Sequence, residues 1–124
     1  MHGQLKHDGR ATQNGVTAPA AQAIVKGDLY RINGWNGLAL KTIGASDTLR
    51  TLDLEIAPDR IWYVKLPAGA APAIGDFLYW TAGAGFKRGD TDITTTATGS
   101  PVAKVEEVKD ANGYCAVRVL NVGP

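Results

Sequence analysis

Histidine and cysteine most often supply a base, a nucleophile or a soft metal ligand, and this chain has few of them. Its 124 residues include two histidines, His2 and His7, and one cysteine, Cys115. Both histidines fall in a polar N-terminal stretch, whereas a general base must be held rigidly against its substrate. Cys115 shares an alternating segment with Val117 and Val119, which is typical of a thiol that packs as a small hydrophobic side chain. We therefore expect no catalytic residue, no metal site and no cofactor.

Two further segments bear weakly on chemistry. Asp90 and Asp92 stand at alternate positions, as at the start of a calcium loop, but the later glycine and the closing glutamate are missing. Residues 83–85 are glycine-rich but lack the Lys-Ser/Thr of a phosphate-binding loop. An enzyme would need a site built from Asp, Lys, Ser or Thr alone, for example around Asp90 and Asp92. This is the weakest of the functional hypotheses.

The composition is that of one small soluble domain. Thirteen Lys and Arg against twelve Asp and Glu give a net charge of +1, which argues against a strongly basic nucleic-acid-binding surface. No apolar run approaches the roughly 20 residues that span a bilayer, and the N-terminus lacks the apolar stretch of a signal peptide. We expect synthesis in the cytoplasm and no nucleic-acid or membrane partner. Fifteen glycines and six prolines favour many short strands over long helices.

Alternation predicts those strands. In residues 51–56, Leu52, Leu54 and Ile56 share one face and the polar residues the other, which indicates a half-buried strand. Similar segments, separated by glycine, proline or asparagine, predict strands at 29–32, 38–42, 60–66, 76–81, 93–98, 102–108 and 114–122. The sequence thus predicts an all-β fold, a small antiparallel β-barrel or sandwich, in which Trp62 and Trp80 belong to the core.

A faint repeat accompanies this pattern. Residues 24–30 resemble residues 73–79, because in each an apolar residue leads to Gly-Asp and then to an aromatic strand. Gly-Asp is a common turn before a strand, so the likeness has a local explanation. The alternative is a pair of related hairpins within one domain.

Two regions are candidates for contact with a partner. Residues 1–23 are polar and lack strand or helix periodicity, so they are either a frayed terminus or an arm that becomes ordered on a partner. We expect residues 24–124, which follow this arm in the chain, to form a single domain. Trp35 falls in a predicted turn at 33–37, where it would either be an exposed contact residue or fold back onto the domain.

An ordered set of motifs resembles a known family. The set comprises Thr17-Ala18-Pro19, Gly27-Asp28, Gly37-Leu38-Ala39-Leu40, Lys65-Leu66-Pro67, Ile74-Gly75-Asp76 with Tyr79-Trp80, the threonine tract 94–99, Val102-Ala103 and Val117-Arg118-Val119-Leu120-Asn121. Together they resemble the small decoration (cement) proteins of tailed-phage capsids over residues 17–121. The chain departs from the family at 101–104, where a Gly-Val-Ala-Leu strand is usual, and in its more polar segment 46–59.

The resemblance implies a virion protein with a compact, β-tulip-like barrel and an extended N-terminal arm. Such proteins bind the outer surface of the expanded capsid, often as homotrimers, and lock subunits of the major capsid protein together. The arm would bind by adding a strand to a sheet of the shell. Its candidate contact residues are Gln4, Leu5, Lys6, Arg10, Thr12, Asn14 and Val16. The alternative function is a small-molecule or carbohydrate-binding β-module that uses Trp35 and the tyrosines.

Overall fold

The computed structural model describes residues 11–57 and 60–121. Within these ranges the chain forms ten strands and no helix. The strands are β1 (Thr12–Thr17), β2 (Leu29–Ile32), β3 (Trp35–Ala39), β4 (Thr51–Glu55), β5 (Trp62–Lys65), β6 (Phe77–Trp80), β7 (Lys87–Arg88), β8 (Ile93–Thr94), β9 (Ala103–Val105) and β10 (Tyr114–Val119). None of the described segments offers an apolar helix that could cross a bilayer.

The strands form two antiparallel five-stranded sheets. The first sheet has the order β1-β4-β3-β2-β7 and the second has the order β5-β10-β9-β6-β8. One sheet is curled into a half-barrel. The predicted all-β class, a small barrel or sandwich, is therefore confirmed.

The two sheets share one topology. The short strands β7 and β8 both come from the segment between β6 and β9, and each sheet receives one of them as an edge. The remaining four strands of each half, numbered by their order in the chain, lie in the spatial order first, fourth, third, second. This is a Greek-key arrangement, and it occurs twice.

The Gly-Asp segments occupy equivalent places in the two halves. Gly27 has a φ of 90°, and its N–H donates to the carbonyl of Ala39 (2.8 Å), whose own N–H donates to the carbonyl of Asp28 (3.0 Å). A tight turn closes below them, because the Asp28 N–H donates to the carbonyl of Val25 (3.1 Å). Glycine is suited to the third position of this turn because it tolerates positive φ.

The second half repeats each of these hydrogen bonds. Gly75 has a φ of 89°, and its N–H donates to Val105 (2.8 Å), whose N–H donates to Asp76 (2.9 Å). The Asp76 N–H closes the turn onto Ala73 (3.1 Å). The likeness in sequence therefore extends beyond a local turn to a matching contact between the second and third strands of each half.

Each half has its own hydrophobic core. The first core contains Val16, Ala18, Ile24, Tyr30, Ile32, Ala39, Ile43, Leu52, Leu54 and Ile56, with Trp35 and Phe86 packed against it. The second core contains Val64, Leu66, Ala70, Leu78, Trp80, Ile93, Val102, Ala103, Val105, Cys115, Val117 and Val119, with Trp62 packed against it. As predicted, Cys115, Val117 and Val119 lie on one buried face.

The first sheet packs against the second half through the face opposite its own core. Leu29 and Leu38 are cross-strand partners in the first sheet, yet both pack in the second core. Because side chains alternate between faces along a strand, they lie opposite Tyr30, which belongs to the first core. One face of the first sheet thus encloses the first core, while its other face covers part of the second core at Leu29 and Leu38.

A polar bridge ties the halves together. The side chain of Asn36 donates to the carbonyl of Leu120 (2.8 Å) and accepts from the indole Nε1–H of Trp80 (2.9 Å). The backbone of Asn36 exchanges two further hydrogen bonds with the side-chain amide of Asn121, each 2.8 Å long. Asn36 thus joins β3 of the first sheet to β6 and to the segment after β10.

The structure differs from the predicted arm. Residues 12–17 form β1, which pairs with β4, and Val16 is buried in the first core. The following loop is held by the guanidinium of Arg50, which donates to the carbonyls of Ala18, Pro19 (2.8 Å) and Gln22. The described part of the segment assigned to the arm therefore belongs to the folded domain.

The first hairpin is tighter than expected. The sequence predicts a turn at 33–37 and a return strand from residue 38, whereas in the structure Ile32 pairs with Trp35 and only Asn33 and Gly34 form the turn. Both turn residues have positive φ, 53° and 81°, as a type I′ turn requires. Trp35 is consequently the first residue of β3.

Candidate functional site

The proposed arm residues fall into two groups. Gln4, Leu5, Lys6 and Arg10 lie outside the described residues. Thr12, Asn14 and Val16 lie in β1, where Asn14 is exposed and Val16 is buried. Val16 is therefore a core residue, whereas Thr12 is half-buried and Asn14 is exposed at the edge of the sheet.

Strand β1 is an edge of the first sheet, with β4 as its neighbour on one side. The Ile56 N–H donates to the carbonyl of Ala11 (2.8 Å), so the backbone groups of the next residue, Thr12, point away from β4. The pairing is interrupted in the middle of β1, where Gly15 has a φ of 69° and its N–H donates to the carboxylate of Asp53 (2.9 Å). Such bulges limit the length over which an edge can accept another strand.

Trp35 follows the second of its two alternatives. It is half-buried and packs against the first core. An exposed aromatic tip at the hairpin is therefore absent, since the turn itself consists of Asn33 and Gly34.

The outer face of the second sheet is the most apolar exposed surface among the described strands. We define it by the residues whose side chains point away from the second core: Tyr63, Lys65, Phe77, Tyr79, Lys104, Tyr114, Ala116 and Arg118. Three aromatic side chains on it are strongly exposed, Tyr63 (61%), Phe77 (43%) and Tyr114 (40%), and Ile61 (48%) lies beside it. Isolated exposed apolar residues are ordinary, but several on one sheet face are typical of an interaction surface.

The charges on this outer face are unevenly balanced. Arg118 is paired with Glu106 (3.0 Å). Lys65 lies over the ring of Tyr114 (5.2 Å) and Lys104 over the ring of Phe77 (5.9 Å). Among the described residues neither lysine forms an ion pair. The face thus combines aromatic side chains with two cations that form no ion pair, and the carboxylate of Glu107 contacts it at Tyr63. Around Lys104 and Phe77 this composition favours a partner with apolar and acidic groups.

Tyr63 carries a further electrostatic feature. Its hydroxyl donates to the carboxylate of Glu107 (3.2 Å), and the negative charge of Glu107 raises the pKa of Tyr63. This contact turns the Tyr63 hydroxyl toward Glu107 and leaves the ring exposed on the outer face of the second sheet.

The duplicated topology allows the outer face of the second sheet to be compared with the corresponding face of the first sheet. The cross-strand row Leu29, Leu38 and Glu55 of the first sheet corresponds in register to the row Phe77, Lys104 and Arg118 of the second. The first row lies against the second half and is buried. The second row is open to solvent or only half-buried, so the same structural position is covered in one half and uncovered in the other.

A cleft opens between the halves, beside the Asn36 bridge. Its volume is about 510 Å³, and it is lined by Arg31, Gly34, Asn36, Trp80, Thr81, Ala82, Gly83, Thr98, Gly99 and Ser100. The Thr98 hydroxyl donates to the carbonyl of Trp80. The lining therefore combines polar side chains with three glycines, Gly34, Gly83 and Gly99.

The residues considered for catalysis are engaged elsewhere. Cys115 is fully buried, its thiol donates to the carbonyl of Glu107 (3.2 Å), and burial raises its pKa. The carboxylate of Asp92 accepts the N–H of Arg88 (2.8 Å), and Asp90 lies 3.5 Å from the Arg88 guanidinium. In the part of the chain that the structure describes, no group of three His, Cys, Asp or Glu side chains could hold a metal ion.

Comparison with protein-family models, with curated proteins and with solved structures found no match for this chain.

Proposed function

We propose that this chain is a structural, non-enzymatic protein of a tailed-phage virion. It binds the outer surface of the mature capsid and stabilises the capsid by bridging subunits of the major capsid protein. The motifs in residues 17–121 support this proposal, as does one observation in particular. The outer face of the second sheet presents Tyr63, Phe77 and Tyr114 to solvent, while the corresponding row of the first sheet, Leu29, Leu38 and Glu55, is buried.

The energetics suit a bridging role. Complete burial of a large apolar side chain contributes about 1.5–3 kcal/mol. The three aromatic side chains are 40–61% exposed, so each would contribute less than this, and part of the gain is offset by the loss of motional freedom on binding. One chain would bind weakly. Three chains in a homotrimer would raise the avidity by about 10²–10⁴ if all engage at once. Because the protein would bind the assembled lattice and not free subunits, it would stabilise the lattice by mass action.

The N-terminal segment would add a second contact. Strand β1 leaves the backbone groups of Thr12 facing outward at the sheet edge, and residues 1–10 precede it in the chain. Strand addition by residues 1–10 to the capsid surface would extend the interface from this edge.

Co-sedimentation with mature, expanded capsids tests the proposal. We expect stoichiometric binding, and we expect the double substitution Tyr63→Ser and Phe77→Ser to weaken it by at least tenfold. Leu49→Ser is the matched control, because Leu49 is 77% exposed and lies outside the second sheet. Equal binding of the double variant and the control would contradict the role of this face.

Deletion of residues 1–10 tests the second contact. It leaves β1 intact, so the thermal midpoint should stay close to that of the full chain while capsid affinity falls. Unchanged affinity would exclude an arm mechanism. Light scattering tests the trimer, whose mass would be about 39 kDa from a chain of 13.1 kDa, in the closed symmetry typical of homo-oligomers.

The carbohydrate-binding alternative is tested by the same proteins. It relied on Trp35 as a stacking surface, and Trp35 packs half-buried against the first core. Glycan binding that is lost on Trp35→Ala, together with no capsid binding by the unmodified chain, would favour this alternative.

A further inference from the structure

Two cations lie side by side on the first sheet, next to the cleft. Arg31 of β2 and Lys87 of β7 are Cα partners in the antiparallel ladder, so their side chains share a face. This is the face of Leu29 and Leu38, which is turned toward the second half. Directly opposed like charges destabilise a sheet, so this pair calls for an explanation.

Neither cation is neutralised within the described residues. The ion pairs found there are Arg60–Glu55, Arg88–Asp90 and Arg118–Glu106. Lys87 is only 9% exposed, and its ammonium donates to a neutral acceptor, the carbonyl of Ala82 (3.1 Å). Lysine is rarely buried to this extent without an anionic partner.

One of the two cations lines the cleft and the other lies next to its wall. Arg31 is half-buried and lines it directly. The Lys87 ammonium lies immediately behind the wall formed by Ala82 and Gly83, since a Cβ at Gly83 would be 3.3 Å from Nζ. Thr81 and Ser100 also line the cleft and supply hydroxyl groups.

The acidic side chains that follow Lys87 in the chain are engaged with another residue. Asp90 and Asp92 follow Lys87 on the chain, but both carboxylates contact Arg88, whose side chain lies over the ring of Tyr30 in the first core. Tyr30 is adjacent to Arg31 and therefore on the opposite face of the sheet. The positive charge at the cleft is thus available to a ligand.

We propose that the cleft binds the oxyanion group, a carboxylate or a phosphate, of a small polar ligand. The planar guanidinium of Arg31 supplies the fork that binds two oxygens of such a group. Lys87 adds a second positive charge from the side, and the cleft volume of about 510 Å³ falls within the usual range of small-molecule sites. This site is independent of the proposed capsid-binding face.

Isothermal titration calorimetry at constant ionic strength tests the proposal with inorganic phosphate, glucose 6-phosphate, glucuronate and glucose. We expect saturable binding of one anion per chain and none of glucose. Tighter binding of glucose 6-phosphate than of glucuronate identifies the group as phosphate, and the reverse order identifies it as carboxylate. Failure of all three anions to bind would overturn the proposal.

Substitutions locate the site. Arg31→Gln should weaken anion binding by about tenfold or more, because a charge-assisted, two-point contact is lost. Lys41→Gln is the control, since it removes the same charge from an exposed position in the 40–42 segment. Equal affinities of these two variants would refute the assignment.

Lys87→Met can be tested in the absence of ligand, by the thermal midpoint of the free protein. It keeps the apolar stem and removes the repulsion from Arg31, so the free protein should have an unchanged or higher thermal midpoint, while anion binding weakens. A lower midpoint would mean that Lys87 has a structural role and would count against the site. Arg31→Gln should also retain capsid co-sedimentation, which separates this proposal from the proposed function.

Discussion

Replacing Asn36 by alanine should destabilise the whole domain. Its side chain links the halves through Leu120 (2.8 Å) and Trp80 (2.9 Å). Each such hydrogen bond contributes about 0.5–1.5 kcal/mol, and leaving a buried partner unpaired costs about 1–3 kcal/mol. The Trp80 side chain is 4% exposed, so its Nε1–H would lose the acceptor that Asn36 provides and would have to bond to water in the adjoining cleft. We expect a loss of about 3 kcal/mol in the free energy of unfolding.

Urea denaturation followed by far-ultraviolet circular dichroism measures this loss. The control is Asn112→Ala, because Asn112 is exposed in the turn before β10, and its change should stay within about 0.5 kcal/mol. Combining Asn36→Ala with Trp80→Phe gives a double-mutant cycle, since phenylalanine keeps an aromatic ring but removes the indole donor. We expect a coupling of about 1 kcal/mol.

Two results would refute this reasoning. A loss below about 1 kcal/mol for Asn36→Ala would mean that the bridge does not join the halves energetically. A coupling energy of zero would mean that the indole hydrogen bond contributes nothing, whatever the total loss. A second unfolding transition in the variant, absent from the unmodified chain, would instead show that the bridge makes the halves unfold as one unit.

Three further substitutions have definite expected outcomes. Gly37→Ala should lower the free energy of unfolding by about 1–3 kcal/mol in chemical denaturation, because the new Cβ would lie 2.8 Å from that of Leu54. Gly69→Ala is the control and should leave the free energy of unfolding unchanged, since there is open space around Gly69. Equal effects of the two substitutions would contradict the argument. Arg50→Met should lower the free energy of unfolding by about 2 kcal/mol and speed proteolytic cleavage within residues 18–23. An unchanged cleavage rate would show that the guanidinium does not hold this loop. Burial and, secondarily, the charge of Asp90 raise the pKa of Asp28. The folded state therefore binds the Asp28 proton more tightly than the unfolded state does. As a result, the contribution of this carboxyl to stability falls as the pH rises from below 3.8 through the raised pKa. Asp28→Asn should therefore be more stable than the unmodified chain at pH 7, with an advantage that disappears at low pH; a pH-independent difference would exclude the titration.

The core strands could be predicted from the sequence because their signals are local. Leu52, Leu54 and Ile56 alternate with polar residues, and all three are buried in the first core. The same alternation predicts that Glu55 lies on the solvent-facing side, yet Glu55 is 6% exposed and paired with Arg60 (2.9 Å). A period of two identifies the faces of a strand, but it does not show whether a second layer will cover the polar face.

Other features depended on partners far away in the chain. Strand β1 has no apolar alternation and is held by β4, almost 40 residues later. Arg50 looks like an ordinary surface cation in the sequence, and its role arises because the loop at 18–22 returns to it. The Arg31–Lys87 pair likewise requires the register between β2 and β7, which no local pattern gives.

The duplicated architecture constrains the partner of the outer face of the second sheet. Where the first sheet covers a core, it does so with Leu29 and Leu38, two aliphatic side chains that are almost completely buried. At the corresponding positions the second sheet carries Phe77 and Lys104, and a lysine cannot enter an apolar core without a partner for its charge. A second copy of this chain therefore cannot be stacked there in the way the two halves are stacked. The surface that fits is one that accepts an aromatic ring and also offers an acidic group to the adjacent cation, so a Lys104→Leu variant should bind capsids less tightly even though it is more apolar.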